Sequence, residues 1–254
     1  SPRTTHPPRA SMLALCARAR AVAGPGSPLA RAASAAAAAA AGSTPSRPSG
    51  GQPRRRARQP SPAETAAAFG ALGVPAHLAT KLAPWLAVRA PTPAQETFIP
   101  ALLGSQSDAL LAAPPGEGKT LSFLLPVLAG IDNRAPGVQA LVVAPHAEAA
   151  LQTLTAARTL TRGGSKRRRA APVTTAALVR PLHKAAPLPD AHLVVATPSV
   201  LASALADSPA FRDVVLPRLN TLVLDEFDYL AAFERRALEG ILTHATIKAS
   251  HVTR

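Results

Sequence analysis

The sequence has very few cysteines and aromatic residues, and each scarcity excludes a class of site. Its single cysteine, Cys16, has no disulfide partner within the chain, and a thiolate metal cluster is excluded. The seven histidines are scattered without the spacing of metal ligands. Aromatic residues make up 3% of the chain, and no aromatic platform for stacking bases is visible. No stretch approaches the ~20 apolar residues of a membrane-spanning helix, so we expect no membrane partner.

Acidic residues are absent from the amino-terminal region, which differs in composition from the rest. The chain has ten arginines before Pro60, a run of alanines from Ala35 to Ala41, and no acid before Glu64. Such a segment has little apolar surface to bury. We therefore predict a disordered tail at residues 1–62 and one folded domain at residues 63–254. Most of the net charge of +14 belongs to the tail.

The tail also has the composition of a targeting segment. Met12 is the only methionine, and we expect the natural protein to begin there. The residues that follow are rich in arginine, alanine and serine, which is typical of a mitochondrial or chloroplast transit peptide. The alternatives are a disordered basic arm, or a nuclear or nucleolar address or nucleic-acid arm between Arg54 and Arg58.

A glycine-rich loop follows a short apolar run at residues 109–113, which is typical of a buried strand. In this loop Gly116 and Gly118 allow the backbone to turn tightly. Lys119 is placed to reach the β- and γ-phosphates of a nucleotide, and the Thr120 hydroxyl is placed to bind Mg²⁺. An apolar helix follows. The sequence therefore predicts an ATP-binding loop.

Two carboxylates follow a second apolar run at residues 221–224. Ligands of open α/β sheets bind at the carboxyl ends of the strands, where Asp225 and Glu226 would lie. We expect Asp225 to hold Mg²⁺ through water, and Glu226 to orient or deprotonate the attacking water. The alternative is an acidic cap on the next helix.

These motifs, with Pro91-Thr92-Pro93-Ala94-Gln95 upstream, resemble the first RecA-like domain of the DEAD-box RNA helicases. The resemblance runs from about Phe69 to about Leu230 and implies the cofactors ATP and Mg²⁺. It also implies that Phe69 stacks on the adenine and that Gln95 hydrogen-bonds to its edge. For Phe69, ordinary core packing is an equal alternative.

The ATP side departs from the family pattern at three positions. Pro115 stands in place of threonine, Glu117 in place of serine, and Phe227 in place of alanine. We expect the Glu117 side chain to turn towards solvent and Phe227 to overpack its surroundings. Asp228 would couple the site to a later Ser-Ala-Thr motif, which the sequence lacks. The stretch His244-Ala245-Thr246 has no apolar strand before it, and we interpret it as unrelated.

The first motif that resembles an RNA-binding segment is altered. It begins at Pro145 and ends at Gln152, with His146 and Ala147 in place of the family's threonine and arginine. Loss of the guanidinium removes a bidentate phosphate contact. This change predicts weakened binding to RNA.

A second RNA-binding segment, from Thr197 to Val200, is also altered. Ser199 stands for glycine and Val200 for arginine. Gly163-Gly164 resembles the glycine pair that the family places between the two segments. The basic run at residues 166–169 could bind RNA phosphates or be a solvated loop.

Alternating apolar runs and helical segments predict a parallel α/β sheet with helices on both faces. The predicted strands are at residues 109–113, 139–144, 173–179, 192–196 and 221–224. The helices between them include residues 147–160 and 200–206. The resemblance identifies this as a RecA-like fold. It further implies a second RecA-like domain, with arginines that promote phosphoryl transfer, that is missing from these 254 residues.

Two functions are compatible with this pattern. One is the ATP- and RNA-binding domain of an ATP-dependent RNA helicase, which the intact Lys119, Thr120, Asp225 and Glu226 favour. The other is a catalytically weak nucleotide-binding protein that acts as an RNA or ribosome assembly factor without unwinding. The altered RNA-binding segments favour the second function.

Overall fold

The computed structural model describes residues 59–104, 109–114, 116–162, 172–181 and 190–249. Most of the predicted tail, Pro115, the glycine pair at residues 163–164 and the basic run at residues 166–169 lie outside the described residues. The prediction of a boundary between residues 62 and 63 therefore stays a prediction.

Helices and strands alternate along most of the described chain. Their order is α1 (Pro62–Ala71), α2 (Ala76–Leu86), α3 (Pro93–Gly104), α4 (Lys119–Gly130), β1 (Ala140–Val143), α5 (Ala147–Thr161), β2 (Thr175–Leu178), β3 (Leu193–Ala196), α6 (Pro198–Asp207), α7 (Pro209–Val215), a 3₁₀ turn (Leu216–Arg218), β4 (Thr221–Leu224), α8 (Phe227–Phe233) and α9 (Arg235–Ala249).

The four strands form one parallel sheet in the order β2-β3-β1-β4. Side chains of β1 point alternately to the two faces, because successive residues of a strand face opposite sides. Val142 belongs to a core cluster with residues of α1, α2, α4 and α5. Val143 belongs to a second cluster with residues of α6, α7, α8 and α9. Burial on both faces explains why β1 and β3 read as continuous apolar runs, and the predicted fold class is confirmed.

One predicted strand is wrong. Residues 109–113 form no strand, and Leu110 is 49% exposed. A strand needs a hydrogen-bonded neighbour, and within the described part of the chain β4 is paired only with β1. An apolar run therefore indicates that a segment prefers to be buried, as a central strand does. It does not show that a neighbouring strand is available for hydrogen bonding.

Helix boundaries follow local capping chemistry. Before α1, the Glu64 backbone N–H donates to Ser61 Oγ (3.2 Å) and the Ser61 N–H donates to Glu64 Oε2 (2.6 Å). This reciprocal capping box, with Pro62 in the first turn, fixes the start of the helix.

The stretch from His244 to Thr246 lies within α9, so its interpretation as unrelated to a strand motif is confirmed. Among the described helices, none is long and apolar enough to cross a membrane.

Candidate nucleotide site

The carboxyl ends of three strands meet at one edge of the sheet. In the register of the ladders, Val143 lies opposite both Ala196 and Leu224. The residues that follow each strand therefore gather at this edge, as the sequence predicts for Asp225, and the two altered RNA-binding segments begin here as well.

The phosphate loop has the backbone geometry of an anion cradle. Gly116 (φ 86°) and Gly118 (φ 72°) are both in the left-handed region, where glycine is favoured. α4 starts immediately afterwards at Lys119, with Thr120 in its first turn. The first N–H groups of a helix have no partners within it and carry the positive end of its dipole. The arrangement suits a phosphate group.

The charge of Lys119 reaches Asp225 across this edge. The Lys119 ammonium donates to the Ala113 carbonyl oxygen (2.9 Å), and its charge acts on the Asp225 carboxyl. Burial of Asp225 and the neighbouring Glu226 charge raise the pKa of Asp225. The Glu226 N–H, which donates to Asp225 Oδ1 (3.1 Å), and Lys119 lower that pKa less strongly. An ionised Asp225 is therefore under-compensated here and suited to a further cation.

We expect Asp225→Asn to raise the melting temperature of the nucleotide-free protein at pH 7. The pKa of Asp225 is higher in the fold than its ordinary value of 3.8, so the folded state binds more protons in this window. The contribution of this carboxyl to the free energy of unfolding is consequently greatest below its ordinary pKa. It is lost as the pH rises through the raised pKa of the folded state. Asparagine removes this loss, so we expect the melting temperature at pH 7 to rise.

Thermal unfolding at pH 7 and pH 4 measures this effect. The gain should shrink at the lower pH, and Asp228→Asn, at an exposed acid three residues away, is the matched control. A gain in melting temperature that is equal at both pH values would contradict an unfavourable burial of the Asp225 charge.

Glu226 is held in an uncommon backbone conformation. Its φ of 51° and ψ of 53° place it in the left-handed region, which is unfavourable for a residue with a side chain. It precedes α8, yet its side chain makes no capping hydrogen bond. This argues against the alternative of a simple acidic cap. Strain of this kind clusters at functional sites.

Phe69 and Gln95, which the resemblance assigns to the adenine, are both buried. Phe69 is fully buried and packs in the first core cluster, which favours the alternative of core packing. Gln95 is 2% exposed and lies against the phosphate loop, where its Nε2 donates to the Gly118 carbonyl oxygen (3.1 Å). Adenine binding by either residue stays a prediction.

A role for Thr92 was missed from the sequence. The Gln95 N–H donates to Thr92 Oγ1 (3.3 Å) and the Thr92 N–H donates to Gln95 Oε1 (3.1 Å), which is a capping box at the start of α3. The Thr92 hydroxyl also donates to the Glu117 carbonyl oxygen (2.8 Å). The spacing Thr-x-x-Gln before an apolar helix is the sequence signal that indicates such a box.

Two further expectations concern the unusual residues of the site. Phe227 does not overpack, because 36% of its surface is exposed at the start of α8. Its ring needs no space in the core, so this expectation is wrong. Glu117 is half-buried instead of turned fully to solvent.

In the altered RNA-binding segments, most of the side chains that replace the family's residues make contacts within the fold. His146 caps α5, since its Nδ1 accepts from the Ala149 N–H (3.2 Å). Ser199, at the start of α6, donates its hydroxyl to Glu234 Oε2 (2.9 Å), and Val200 packs against the second core cluster. Ala147 is exposed and offers no hydrogen-bonding side chain.

The oxygen donors at this edge fit a magnesium ion that arrives with a nucleotide. Nowhere in the described ranges do three or more histidine, cysteine or acidic side chains form a metal cluster. The Thr120 hydroxyl and the Asp225 carboxylate are hard donors of the type that Mg²⁺ takes, with phosphate oxygens and water completing its shell.

A family model described as DEAD/DEAH box helicase matches residues 92–253. The ATP-dependent RNA helicase DBP7 of Scheffersomyces stipitis is 30% identical over 188 residues, which are 67% of this chain and 24% of that protein. The DEAD-box ATP-dependent RNA helicase 58, chloroplastic, of Oryza sativa subsp. japonica is 34% identical over 64% of this chain and 36% of its own length. The chain thus spans about a quarter to a third of these relatives.

Solved structures show the same fold. A single-substitution variant of S. cerevisiae Dbp5, bound to RNA and ADP BeF3, superposes with a TM-score of 0.59 at 22% identity, over 70% of this chain and 43% of that one. The yeast DEAD-box splicing factor Prp28 superposes with a TM-score of 0.56 at 26% identity, over 69% and 42% of the two chains. With the family match over more than half of its residues, the chain belongs to the DEAD/DEAH box helicase family.

Proposed function

We propose that this chain is the ATP- and RNA-binding domain of an ATP-dependent RNA helicase. The observation that carries the proposal is the convergence of the phosphate loop with Asp225, whose half-buried carboxyl lies within electrostatic reach of the Lys119 charge. A cation and an acid held beside the amino terminus of α4 suit a nucleotide triphosphate with its Mg²⁺.

Each side chain of the site has a role in this proposal. The amides from Gly116 to Thr120 hold phosphate oxygens, and Lys119 neutralises their charge. Thr120 and Asp225 hold the Mg²⁺, which supplies charge neutralisation at the β- and γ-phosphates when bound. Glu226 orients or deprotonates the attacking water.

Calorimetric titration of the protein with ATP, with and without Mg²⁺, tests the proposal. We expect saturable binding that tightens when Mg²⁺ is present. Absence of binding at millimolar nucleotide in a folded sample would contradict it.

The alternative is a nucleotide-binding RNA or ribosome assembly factor that does not unwind. The bond between Ser199 and Glu234 favours it, because a carboxylate occupies the first turn of α6 where an RNA phosphate would otherwise be attracted. A duplex-unwinding assay on the longest available form of the protein separates the two functions. Retained RNA binding with no unwinding would favour the assembly factor.

Restoring one guanidinium should strengthen RNA binding. Ala147 is exposed at the first position of α5, so Ala147→Arg places a charge at the carboxyl edge of the sheet. We expect about tenfold tighter binding to single-stranded RNA, with a salt slope steeper by about 0.7, as one added phosphate contact predicts. Fluorescence anisotropy over a range of salt concentrations measures both quantities.

Ala76→Arg is the matched control. Ala76 is also exposed and also occupies the first position of its helix, α2, which contributes no residue to the proposed RNA surface. Equal gains in both variants would show a general charge effect and would contradict an RNA surface at residues 145–152.

For localisation we propose an organelle, mitochondrion or chloroplast, on the composition of the tail, with the nucleus or nucleolus as the alternative. A second RecA-like domain is the further partner that the proposal requires. The name of one relative includes the word chloroplastic, which supports the organelle. Imaging of a fluorescent fusion that carries the intact tail distinguishes these compartments.

A further inference from the structure

We propose that α8 carries an aromatic platform on which the bases of single-stranded RNA stack. The inference rests on the proposed RNA-binding function and adds a base-contacting site to it. The chain has six phenylalanines, one tyrosine and one tryptophan. Three of these residues, Phe227, Tyr229 and Phe233, lie on the short helix α8 with exposed side chains. A composition that is poor in aromatic residues therefore does not exclude a local concentration of them.

Tyr229 and Phe233 form the platform itself. Their ring centroids are 5.0 Å apart, and the planes of the rings are inclined by 39°. Residues four positions apart lie on one face of a helix, whereas Leu230 is buried in the second core cluster. Tyr229 is 38% exposed and Phe233 is 67% exposed. The contact between the rings restricts their rotation, while most of the Phe233 surface stays available to a ligand.

Phe233 lines a cleft between α6 and α9. The cleft has a volume of about 690 Å³, and Ser199 lies on its α6 side. Ser199 belongs to the altered RNA-binding segment at the carboxyl edge of the sheet, and its hydroxyl donates to Glu234, the residue after Phe233. The platform is therefore continuous with the surface at which the resemblance places RNA.

Two arginines on α9 line the same cleft and supply positive charge beside the platform. Among the described residues, Arg236 has no ion-pair partner. Arg235 Nε is paired with Glu239 Oε1 (2.8 Å), and both side chains are more than half exposed. An exposed pair of this kind contributes little to stability, so Arg235 can turn to a phosphate at small cost.

Charge is distributed unevenly along α8. The acids Glu226 and Asp228 lie at its start, and Arg235 and Arg236 follow its end. We therefore expect the phosphates of a bound strand near the end of α8, with bases on the rings of the platform. Only an unpaired strand fits, because a duplex keeps its bases stacked on each other.

Aromatic faces beside cations are the combination with which proteins bind single strands. Every base has a π-face, so stacking tolerates any sequence, and the cations hold the backbone. A protein partner could also cover exposed rings. The unpaired charge of Arg236 and the neighbouring RNA-binding segment favour RNA as the occupant.

Binding of oligoadenylate and of an abasic oligonucleotide of the same length tests the platform, because the second probe has phosphates and no bases. We expect Phe233→Leu to weaken oligoadenylate binding by about 10-fold and Tyr229→Leu by about 5-fold, as the loss of a base stack predicts. Binding of the abasic probe should be unchanged in both variants. Arg236→Gln should weaken the binding of both probes by similar factors. Fluorescence anisotropy measures the affinities.

The ratio of the two affinities isolates the contribution of the bases. The arginines of the amino-terminal tail act on the phosphates of both probes, so their effect cancels in this ratio. Phe233→Trp keeps an aromatic face and should retain the preference for oligoadenylate. A merely apolar contact would be kept by leucine as well, and would not distinguish the two replacements.

Trp85→Leu is the matched control. Trp85 is a further exposed aromatic residue, but it lies at the end of α2, none of whose residues lines the cleft. We expect the ratio of affinities to stay within about twofold of the wild type, because no base stack is lost. Circular dichroism of each variant establishes that it is folded before titration.

The outcomes separate the platform from the proposed RNA-binding function. If the wild type binds both probes and neither Phe233→Leu nor Tyr229→Leu changes the affinities, the platform is overturned while RNA binding stands, and the rings are left to a protein partner. Equal losses for both probes would assign the rings to the backbone and would also overturn base stacking. If the folded wild type binds neither probe, RNA binding and the platform both fail.

Discussion

Replacing Lys119 by alanine is expected to weaken Mg–ATP binding by about 100-fold, which is the loss of charge-assisted hydrogen bonds to phosphate. Lys119 begins α4 and its charge already acts on Asp225. Without it, the loop amides alone would face the triphosphate, and Asp225 would repel it. Isothermal titration calorimetry with Mg–ATP measures the change.

Arg134→Ala is a suitable control for the lost charge. Arg134 is exposed in the connection that precedes β1, at the opposite end of the strands from the phosphate loop. Its replacement removes one positive charge and should leave the affinity within about twofold, because exposed charges beyond about 10 Å are screened at 0.1 M salt. Unchanged ATP affinity in Lys119→Ala would contradict the assignment of the site.

The second large expected effect is a low rate of ATP hydrolysis. We expect residues 1–254 alone to hydrolyse ATP at a rate that RNA hardly increases, lower by about 10³-fold or more than in a complete two-domain enzyme. In worked cases an arginine supplied from another domain contributes about 10³–10⁵ to the rate.

Glu226→Gln tests this expectation directly. The substitution keeps the size of the side chain and removes its ability to accept a proton, so ATP binding should persist. Turnover with and without RNA should be at background in both the wild type and the variant. Robust RNA-stimulated turnover in the wild type that disappears in Glu226→Gln would contradict the need for a second domain.

Local patterns were sufficient for much of the fold. Four of the five predicted strands form, and the runs at residues 140–143 and 193–196 are apolar at every position and fully buried between the helices on the two faces of the sheet. The fifth, at residues 109–113, has the same composition but no ladder to join among the described residues. Strand formation depends on a neighbour distant in sequence, which no local pattern contains.

For Phe69, too, the local sequence pattern does not determine what surrounds the side chain. Its place in the resemblance implied an adenine contact, whereas its ring is fully buried in the core. An aromatic side chain carries a large apolar surface, and either a base or a core can cover it. Only the packing of α1 and its neighbours decides between them.

The sequence by itself determined the family, the parallel α/β class and the order of the motifs, because glycine, lysine and carboxylate spacings are set by the chemistry of phosphate and Mg²⁺. Tertiary structure alone decided how distant residues meet. It placed the Lys119 charge within electrostatic reach of Asp225, and it placed the Gln95 amide on the Gly118 carbonyl oxygen, although these elements are far apart in the chain. Such contacts arise from packing and hydrogen-bond satisfaction across the whole fold, since a buried amide must find partners wherever the fold supplies them.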